Sequence, residues 1–397
     1  MRNKILCRIV TAAVFLFILA ASAWAAGEEA ADITSKCKFS PGCNSKTFKR
    51  CRDRDYTTYW QSENGKKAWI EVTVPGGREA SGVWTQWYDH SHAWGIQIKN
   101  VDGEWTDCAH TDGSYLSEYL ALPEGTKAFR IANAPGNSKK FRLAELRIFG
   151  PGEVPSYVHR WEEPAAKADL MLLAAHPDDE VLWFGGALPR YAGEEGRACQ
   201  VCMLVPTTPY RRLELLDSLW TCGVRNYPVW GNFSDFFGET LKDQYTRWSR
   251  KRVYETVTEW IRRFKPDVLL THDIRGESGH GAHQVCADAV TNCLEAAGDK
   301  EKYRTSAEKY GVWEVPKCYL HLYVRNVVDM DWRQPLSAFG GKTGFDVAEE
   351  AFACHVSQQN TKYKVRDSGL KDNSLFGLYS SLVGDDISKD DFFENID

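Results

Sequence analysis

The sequence predicts a two-domain protein, in which an antiparallel β-sandwich precedes an α/β domain with a mostly parallel sheet. The chain has 397 residues, which is enough for two domains. A Gly- and Pro-rich segment, Gly150–Pro155, punctuates it and is typical of a linker. Before this segment the pattern is one of short alternating strands, and after it strands alternate with helices.

Residues 1–26 are predicted to be a signal peptide. Arg2, Lys4 and Arg8 form a positive start, Ile9–Ala21 is an apolar run that is short for a membrane span, and Ala23-Trp24-Ala25 is typical of a cleavage site. We therefore expect a secreted or periplasmic protein with no transmembrane segment after cleavage. An uncleaved signal anchor is the alternative.

Residues 34–150 are predicted to form the β-sandwich. Short apolar strands are expected at Trp69–Val74, Trp94–Ile98, Ala128–Ile131 and Leu143–Phe149, separated by turn residues and without helical periodicity. This spacing is typical of a sandwich or a barrel. Residues 151–165 are predicted to form the linker.

Residues 166–397 are predicted to form the α/β domain, with a C-terminal extension. Buried strands are expected at Asp169–Ala175, Gln200–Val205 and Val268–Thr271. Helices are expected at Arg211–Cys222, Trp248–Phe264 and His283–Ala297. The acidic tail, Asp385–Asp397, is expected to fray.

Charge and cysteine content exclude some classes of function. The formal net charge is −5, so a basic nucleic-acid footprint is absent. Of the 12 cysteines, Cys37, Cys43, Cys51 and Cys108 are numerous enough for two disulfides of open pairing. Cys199 and Cys202 form a C-x-x-C, but on a strand they point to opposite faces, which favours buried thiols over redox chemistry.

The residues best suited to chemistry follow the first strand of the α/β domain. The strand that begins at Asp169 leads directly into His176-Pro177-Asp178-Asp179-Glu180. Ligands of open α/β sheets bind beyond the carboxyl ends of strands. Pro177 to Glu180 are also a good helix start without any function, and Glu180 is interpreted in this way. A helix start does not account for His176, which lies on the strand side of Pro177.

A second group of polar residues follows the strand Val268–Thr271. The loop and helix after it contain Arg275, Glu277, His280 and His283, and the two histidines lie three residues apart on one helix face. His176, Asp179 and one of these histidines suit a divalent ion such as zinc, with positions left for water and substrate.

These motifs resemble a known family of deacetylases. AHPDDE, Gly185-Gly186, KPDVLLTHD and RGESGHGAH, over roughly residues 168–297, are similar to the PIG-L/LmbE N-acetylglucosaminyl deacetylases, although Gly281-Ala282 stand where Pro-Asp is commoner. The resemblance implies that His176, Asp179 and His283 bind Zn, or another divalent metal, and that Asp178 is the general base. It implies further that His280 stabilises the oxyanion and helps to protonate the leaving amine. A protonated His280 would be a suitable donor to the charged carbonyl oxygen.

The substrate implied by the resemblance is an N-acetylated sugar or glycan. Asp178 has an alternative role, the orientation of a metal ligand. Arg211, which with Glu214 resembles a family R-x-x-E helix, is a candidate substrate contact, as are Arg275 and Glu277. Each of the three is equally well explained as part of a structural ion pair.

The N-terminal domain resembles the discoidin, or coagulation factor C-type, jelly-roll. The similarity rests on DRDYTTYW at residues 53–60, on WIEV at residues 69–72 and on LAELRIFG at residues 143–150. It implies a carbohydrate ligand and a structural Ca ion at Asp53, Asp55 or Glu145. Trp60 and Trp69 are expected in the core. An aromatic stacking surface and a packed core are equal alternatives for the remaining aromatic group, Trp84, Trp87, Tyr88, His90 and Trp94.

The leading hypothesis is a secreted, zinc-dependent amidohydrolase that removes acetyl from an N-acetylglucosamine-type sugar. The alternative is a non-catalytic carbohydrate-binding protein with a vestigial, Rossmann-like hydrolase domain. A dinucleotide enzyme is disfavoured because no G-x-G-x-x-G follows the first strand of the α/β domain.

Overall fold

The computed structural model describes residues 27–90, 92–328, 330–366, 368–369 and 372–396. The predicted signal peptide, residues 1–26, lies outside the described residues. In the part of the chain that is described, no helix is both long and apolar enough to cross a membrane.

The first half of the described chain is an antiparallel β-sandwich. One sheet has the strand order β1-β3-β8-β5-β6 and the other the order β2-β9-β4-β7. The strands are β1 (Lys38–Pro41), β2 (Trp60–Gln61), β3 (Trp69–Thr73), β4 (Ala80–Trp87), β5 (Trp94–Lys99), β6 (Trp105–His110), β7 (Ser117–Thr126), β8 (Ala128–Asn133) and β9 (Arg142–Phe149).

Aromatic side chains fill the space between the two sheets. Trp60, Trp87 and Trp94 are fully buried, and Trp87 packs edge-on against Phe141 at 4.9 Å between ring centroids. Trp84 is also buried, but in a separate cluster with Phe149 and Val158 on the outer face of the sandwich, so these tryptophans do not form an exposed stacking surface. Trp87 and Trp94 are buried because they face the other sheet, where large apolar rings gain most from burial.

The second half is an α/β domain built on a seven-stranded sheet of order β12-β11-β10-β13-β14-β18-β15. β12, β11, β10, β13 and β14 are parallel, and β18 and β15 are antiparallel to their neighbours. These strands are β10 (Leu170–Ala174), β11 (Cys199–Met203), β12 (Val229–Trp230), β13 (Val268–Thr271), β14 (Lys317–His321), β15 (Val327–Val328) and β18 (Phe376–Ser381), and β16 (Pro335–Leu336) pairs with β17 (Lys342–Thr343) in a separate ribbon.

Helices cover both faces of this sheet. They are α1 (Asp179–Leu182), α2 (Pro209–Thr221), α3 (Leu241–Arg247), α4 (Arg250–Phe264), α5 (Gly281–Gly298), α6 (Arg304–Tyr310) and α7 (Gly344–Ala353). The helix expected at Trp248–Phe264 starts later than predicted. Trp248 is extended, and the Ser249 side chain caps α4 by accepting from the Arg252 amide.

Two other expectations are corrected by the structure. The described cysteines are all free thiols, so the two disulfides are not formed, whereas Cys199 and Cys202 are buried in different core clusters as predicted. The acidic tail does not fray. Phe392 is fully buried, and Asp386 pairs with the buried ammonium of Lys317, which fixes the tail against β14.

Polar contacts join the sandwich to the α/β domain. The Tyr56 hydroxyl donates to Asp217 Oδ2 at 2.6 Å, and Gln86 Nε2 donates to Asp217 Oδ1 at 3.1 Å. The Leu116 amide donates to the Tyr227 hydroxyl at 3.1 Å. These bonds place the outer face of the β2-β9-β4-β7 sheet against helix α2.

Candidate metal centre

The site lies where the sheet order reverses. β10 pairs with β11 on one side and with β13 on the other, so the loops after β10 and β13 diverge and leave a crevice. His176 follows β10, and His272 follows β13 directly. This crevice holds a cavity of 160 Å³ lined by His176, Asp178, Asp179, Leu182, Trp183, Arg211, Asp235, Glu277, His280, His283, Gln358 and Tyr363.

Asp179 is the centre of the donor cluster. Its Oδ1 lies 3.2 Å from His283 Nε2, and its Oδ2 lies 3.5 Å from His176 Nδ1. The amide of His176 and the indole of Trp183 donate to the same carboxylate at 2.7 and 3.0 Å. Burial opposes ionisation, but His283 and His272 outweigh it and hold the pKa of Asp179 well below its usual range.

The buried carboxylate of Glu277 contacts three histidines around the site. Its Oε2 lies 2.7 Å from His272 Nδ1 and 3.0 Å from His283 Nδ1, and its Oε1 lies 2.6 Å from His321 Nδ1. Both ring nitrogens of His283 face carboxylates, and the contact of Nδ1 with Glu277 is an ion pair without hydrogen-bond geometry. If Nε2 binds a metal ion, the remaining ring proton belongs on Nδ1, beside Glu277. Gly276, at φ 67°, turns the chain into this position, where an added Cβ would lie 2.5 Å from the His280 carbonyl oxygen.

Asp178 is held in an unusual backbone conformation. Its φ of 111° is strained for a residue with a Cβ, and such strain concentrates at functional sites. Arg211 lies 3.2 Å from Asp178 Oδ1 and also donates to the Pro177 carbonyl oxygen. Burial raises the pKa of Asp178 to about 8, although Arg211 acts in the opposite direction.

His280 stands at the rim of the cluster. Its ring stacks on His283 at 4.7 Å between centroids, and its Nδ1 accepts from the Ala282 amide at 3.1 Å. Burial lowers the pKa of His280 to about 3, so the structure favours a neutral ring rather than the protonated form that we expected. With Nδ1 as the acceptor, Nε2 carries the proton and remains a hydrogen-bond donor.

The other predicted site residues are placed differently. Arg211 reaches the cavity through its contact with Asp178. Glu277 borders the cavity, but its oxygens are engaged by histidines, so the structure gives it a supporting role instead of a substrate contact. Arg275 is exposed and lies outside the cavity lining.

Two charged residues have roles that the sequence reasoning missed. His272 was visible only as part of a motif, and nothing in its spacing distinguishes it from an ordinary strand-end histidine. Glu180 is fully buried, and its Oε1 accepts from Ser218 Oγ and lies beside His355 Nε2, both at 2.6 Å. The interpretation of Glu180 as a simple helix-start residue is therefore incomplete, because its partners come from sequence positions too distant to be recognised.

The cluster fits a divalent metal ion. One donor atom each from His176, Asp179 and His283 lies within 4.8 Å of the others, and all three residues are buried. Two imidazoles and one carboxylate are the donor types of hydrolytic zinc sites. Without an ion, burial lowers the pKa of His283 but Asp179 and Glu277 raise it more, to about 10, which shows how strongly this position favours a cation. Within the described residues, Asp53, Asp55 and Glu145 do not form such a group of side-chain donors, and the calcium site stays a prediction.

Buried metal-type donors at the carboxyl ends of parallel strands define a hydrolase-type centre. Comparison with known families assigns it more closely. Residues 171–294 match the family described as PIG-L, GlcNAc-PI de-N-acetylase. Residues 171–294 are thus similar to the PIG-L deacetylases.

Curated relatives match the same half of the chain. A deacetylase of 1D-myo-inositol 2-acetamido-2-deoxy-α-D-glucopyranoside from Catenulispora acidiphila is 26% identical over 214 residues, which cover 47% of this chain and 65% of the relative. The corresponding deacetylase of Rhodococcus jostii is 29% identical over 178 residues, with 38% and 60% covered. The chain therefore spans less than two thirds of the length of these relatives, 65% of the first and 60% of the second.

Solved structures resemble each half separately. N,N'-diacetylchitobiose deacetylase from Pyrococcus horikoshii is similar at 18% identity and a TM-score of 0.37, covering 48% of this chain and 71% of that one. A module produced by Clostridium perfringens, CpGH89CBM32-6, is similar at 17% identity and a TM-score of 0.26, covering 30% of this chain and all of that one (100%).

Proposed function

We propose that this protein is a metal-dependent N-deacetylase that hydrolyses the acetamide of an N-acetylglucosamine-type sugar. The observation that carries the proposal is the convergence of three buried metal-type donors with Asp178 and His280 around one cavity. The relatives that match residues in this half of the chain are named as deacetylases of an acetamido sugar, which supports the same reaction class.

Zinc is the ion that we propose for the site. A divalent ion held by His176, Asp179 and His283 supplies Lewis acidity and lowers the pKa of water enough for hydrolysis near neutral pH. Glu277 keeps the His283 ring in the tautomer that such a ligand needs.

Asp178 and His280 have different roles in the proposed reaction. Asp178 is proposed as the general base, because its carboxylate borders the cavity and Arg211 holds it in place. His280 is proposed to donate its Nε2 proton in a hydrogen bond to the carbonyl oxygen, where negative charge develops during attack on the amide. Asp178 can then deliver its proton to the departing amine.

Export is part of the proposal and rests on residues 1–26. It predicts that the mature chain begins close to Ala26 or Gly27, which N-terminal sequencing of the protein recovered from outside the cytoplasm would test.

Acetate release from N-acetylglucosamine and its short oligomers tests the activity. Purified protein should release acetate, and Asp178→Asn should lower the rate by about 10²–10⁴-fold, in proportion to the usual contribution of a general base. Asp243→Asn, at an exposed position on α3, is the matched control and should keep the wild-type rate. Equal rates for wild type and Asp178→Asn would contradict the assignment of the base.

A further inference from the structure

A second cavity lies between the two domains, away from the metal centre. It measures 450 Å³ and is bounded by the outer face of the sandwich and by the end of helix α2. Its lining includes Tyr56, Trp84 and Arg147 from the sandwich, Tyr157 and His159 from the connecting segment, and Asp217, Trp220 and Thr221 from α2.

His159 gives this cavity an unused hydrogen-bond acceptor. The side chain is almost completely buried, and its Nε2 lies 3.3 Å from Asp217 Oδ1. Because Nε2 faces a carboxylate, the proton belongs on Nε2 and Nδ1 keeps a lone pair. Nδ1 has no partner among the described residues, and a buried polar atom without a partner costs free energy. A hydroxyl group of a ligand is the kind of donor that it lacks, and because Nδ1 has less than 1 Å² of accessible area, the side chains around it must move for such a bond to form.

Arg147 gives the same cavity an unused cation. Its guanidinium lies 5.2 Å from the ring centroid of Trp84 and 5.7 Å from that of Tyr157. Among the described residues it makes no hydrogen bond and no ion pair within 4 Å, although its charge acts at longer range on Asp217 and Glu145. Guanidinium groups are well suited to binding carboxylate and sulfate groups. Of the two rings beside it, Trp84 is buried and Tyr157 is exposed, so Tyr157 offers the flat apolar surface on which a sugar ring can pack.

A basic strip continues from Arg147 over the sandwich. Arg147 also borders a neighbouring cavity of 420 Å³, which is lined by Lys49, Arg52 and Arg54 together with Asp32 and Glu145. Four cations thus face two carboxyl groups, on a chain whose formal net charge is −5. Such a local excess of positive charge attracts an anionic ligand.

Helix α2 connects this cavity to the metal centre. Arg211, near its start, borders the metal-centre cavity, whereas Asp217 and Thr221 border the interdomain cavity. A rise of about 1.5 Å per residue separates these positions by about 9–15 Å along the helix axis. The two cavities therefore border the same helix at separate positions.

We propose that the interdomain cavity and its basic strip bind an anionic glycan, with Arg147 holding a carboxylate or sulfate group and His159 accepting a hydrogen bond from a sugar hydroxyl. This inference deepens the proposed function, on which it rests for the nature of the substrate, because it makes the substrate a charged polysaccharide.

Calorimetric titration of the zinc-loaded full chain tests the inference. The probes are hyaluronan oligosaccharides, which carry carboxylates, chondroitin sulfate oligosaccharides, which add sulfate, and neutral chitin oligosaccharides of equal length. The charged probes should bind more tightly than chitin oligosaccharides, and added salt should weaken their binding. Binding of only the sulfated probe would assign the anion as sulfate, and binding of both would show that carboxylate suffices.

Arg147→Gln should weaken binding of the charged probes by about tenfold, the usual effect of losing one charge-assisted hydrogen bond. Arg54→Gln, at an exposed position of the strip, should weaken it by a smaller factor and guards against a folding defect in the first variant. Arg78→Gln, exposed on the same domain but outside both cavities, is the charge-matched control and should bind as the wild type does.

Unchanged binding in both Arg147→Gln and Arg54→Gln would overturn the inference, as would equal affinity for the neutral and charged probes. Acetate release is measured in the same samples, so that a failure of the glycan-site proposal can be distinguished from a failure of the deacetylase proposal. Arginine-dependent binding without acetate release would contradict the deacetylase and leave the glycan site, whereas acetate release without such binding would do the reverse.

Discussion

Glu277 contacts three histidines with one carboxylate, and its position decides which nitrogen of His283 faces Asp179. A carboxylate behind a metal-binding histidine fixes the ring and strengthens it as a ligand. The suitability of His283 as a ligand therefore depends on Glu277, which contributes no donor atom to the group of His176, Asp179 and His283.

Glu277→Gln should lower zinc affinity by about 10–100-fold, the effect typical of losing a partner behind a metal ligand. An amide has one accepting oxygen, so it cannot accept from His272 at one end and from His321 at the other, and it lacks the negative charge beside His283. Competition with a chromogenic chelator measures the affinity, and Glu239→Gln, at an exposed position, is the control. Wild-type affinity in Glu277→Gln would show that the carboxylate does not support the site.

The residues that the sequence predicted most successfully are those close together in a motif. His176, Asp178 and Asp179 occupy four consecutive positions at a strand end, and the structure brings them together with His280 and His283. For Glu277 the sequence left a substrate contact and a structural ion pair as equal alternatives, because it does not show that His321, 44 residues later, lies beside it. Contacts of this kind depend on tertiary packing and have no local signal.

At the scale of secondary-structure elements, Glu180 ties three segments together. Its side chain, which belongs to α1, accepts a hydrogen bond from Ser218 on α2 and contacts His355 after α7. It also accepts from the Asp178 amide at 2.9 Å. Because Glu180 accepts a hydrogen bond from the Asp178 backbone amide, this network helps to hold Asp178 in its strained backbone conformation.

Glu180→Ala should lower the free energy of unfolding by about 3–5 kcal/mol, because it leaves a buried histidine and a buried hydroxyl without their partner. Urea unfolding followed by circular dichroism measures this quantity. Glu349→Ala, at an exposed position in α7, should change stability by less than about 0.5 kcal/mol. A loss in Glu180→Ala no larger than that of the control would contradict the network.

Element positions were predicted where apolar periodicity is strong. β13 was predicted with its observed limits, Val268–Thr271, because four buried apolar or β-branched residues follow Lys265-Pro266-Asp267. The start of α4 was missed because Trp248 continues the apolar spacing of the helix although Ser249 caps it. Trp248 is buried although it is not helical, because its ring packs against Phe233 at 5.1 Å between ring centroids.

At the scale of the whole molecule, buried carboxyl groups make stability depend on pH. Burial raises the pKa of Glu118 and of Glu145 to about 7, and that of Asp217 to about 6. Glu118 lies between the sheets of the sandwich, where Trp94 Nε1 donates to it at 2.7 Å. The folded protein binds a proton at such a group up to a higher pH than the unfolded chain does. Each group therefore lowers stability as pH rises from about 4.5 towards its raised pKa.

Glu118→Gln should remove one of these penalties while keeping an oxygen that accepts from Trp94. We expect its melting temperature to match that of the wild type near pH 4 and to exceed it by about 3 °C or more at pH 8. Scanning calorimetry across this range measures the difference. Glu124→Gln, exposed on the same strand, should show no such trend. A difference independent of pH would contradict a raised pKa for Glu118.

The two-domain architecture was predicted from a change of period at one Gly- and Pro-rich segment, but the contact between the domains was not. Tyr56 and Asp217 are 161 residues apart, and neither has a local pattern that indicates the other. The cavity that they border, and with it the proposed glycan site, could be found only in three dimensions.

The most direct measurement is acetate release from an N-acetylglucosamine oligomer before chelation, after chelation and after restoration of zinc. The proposed function predicts release that disappears with the metal and returns with zinc, and that stays absent in Asp179→Asn, which loses a ligand, and in Asp178→Asn, which retains zinc. Acetate release that persists in the metal-free protein, or a wild-type protein that binds no divalent ion, would contradict it.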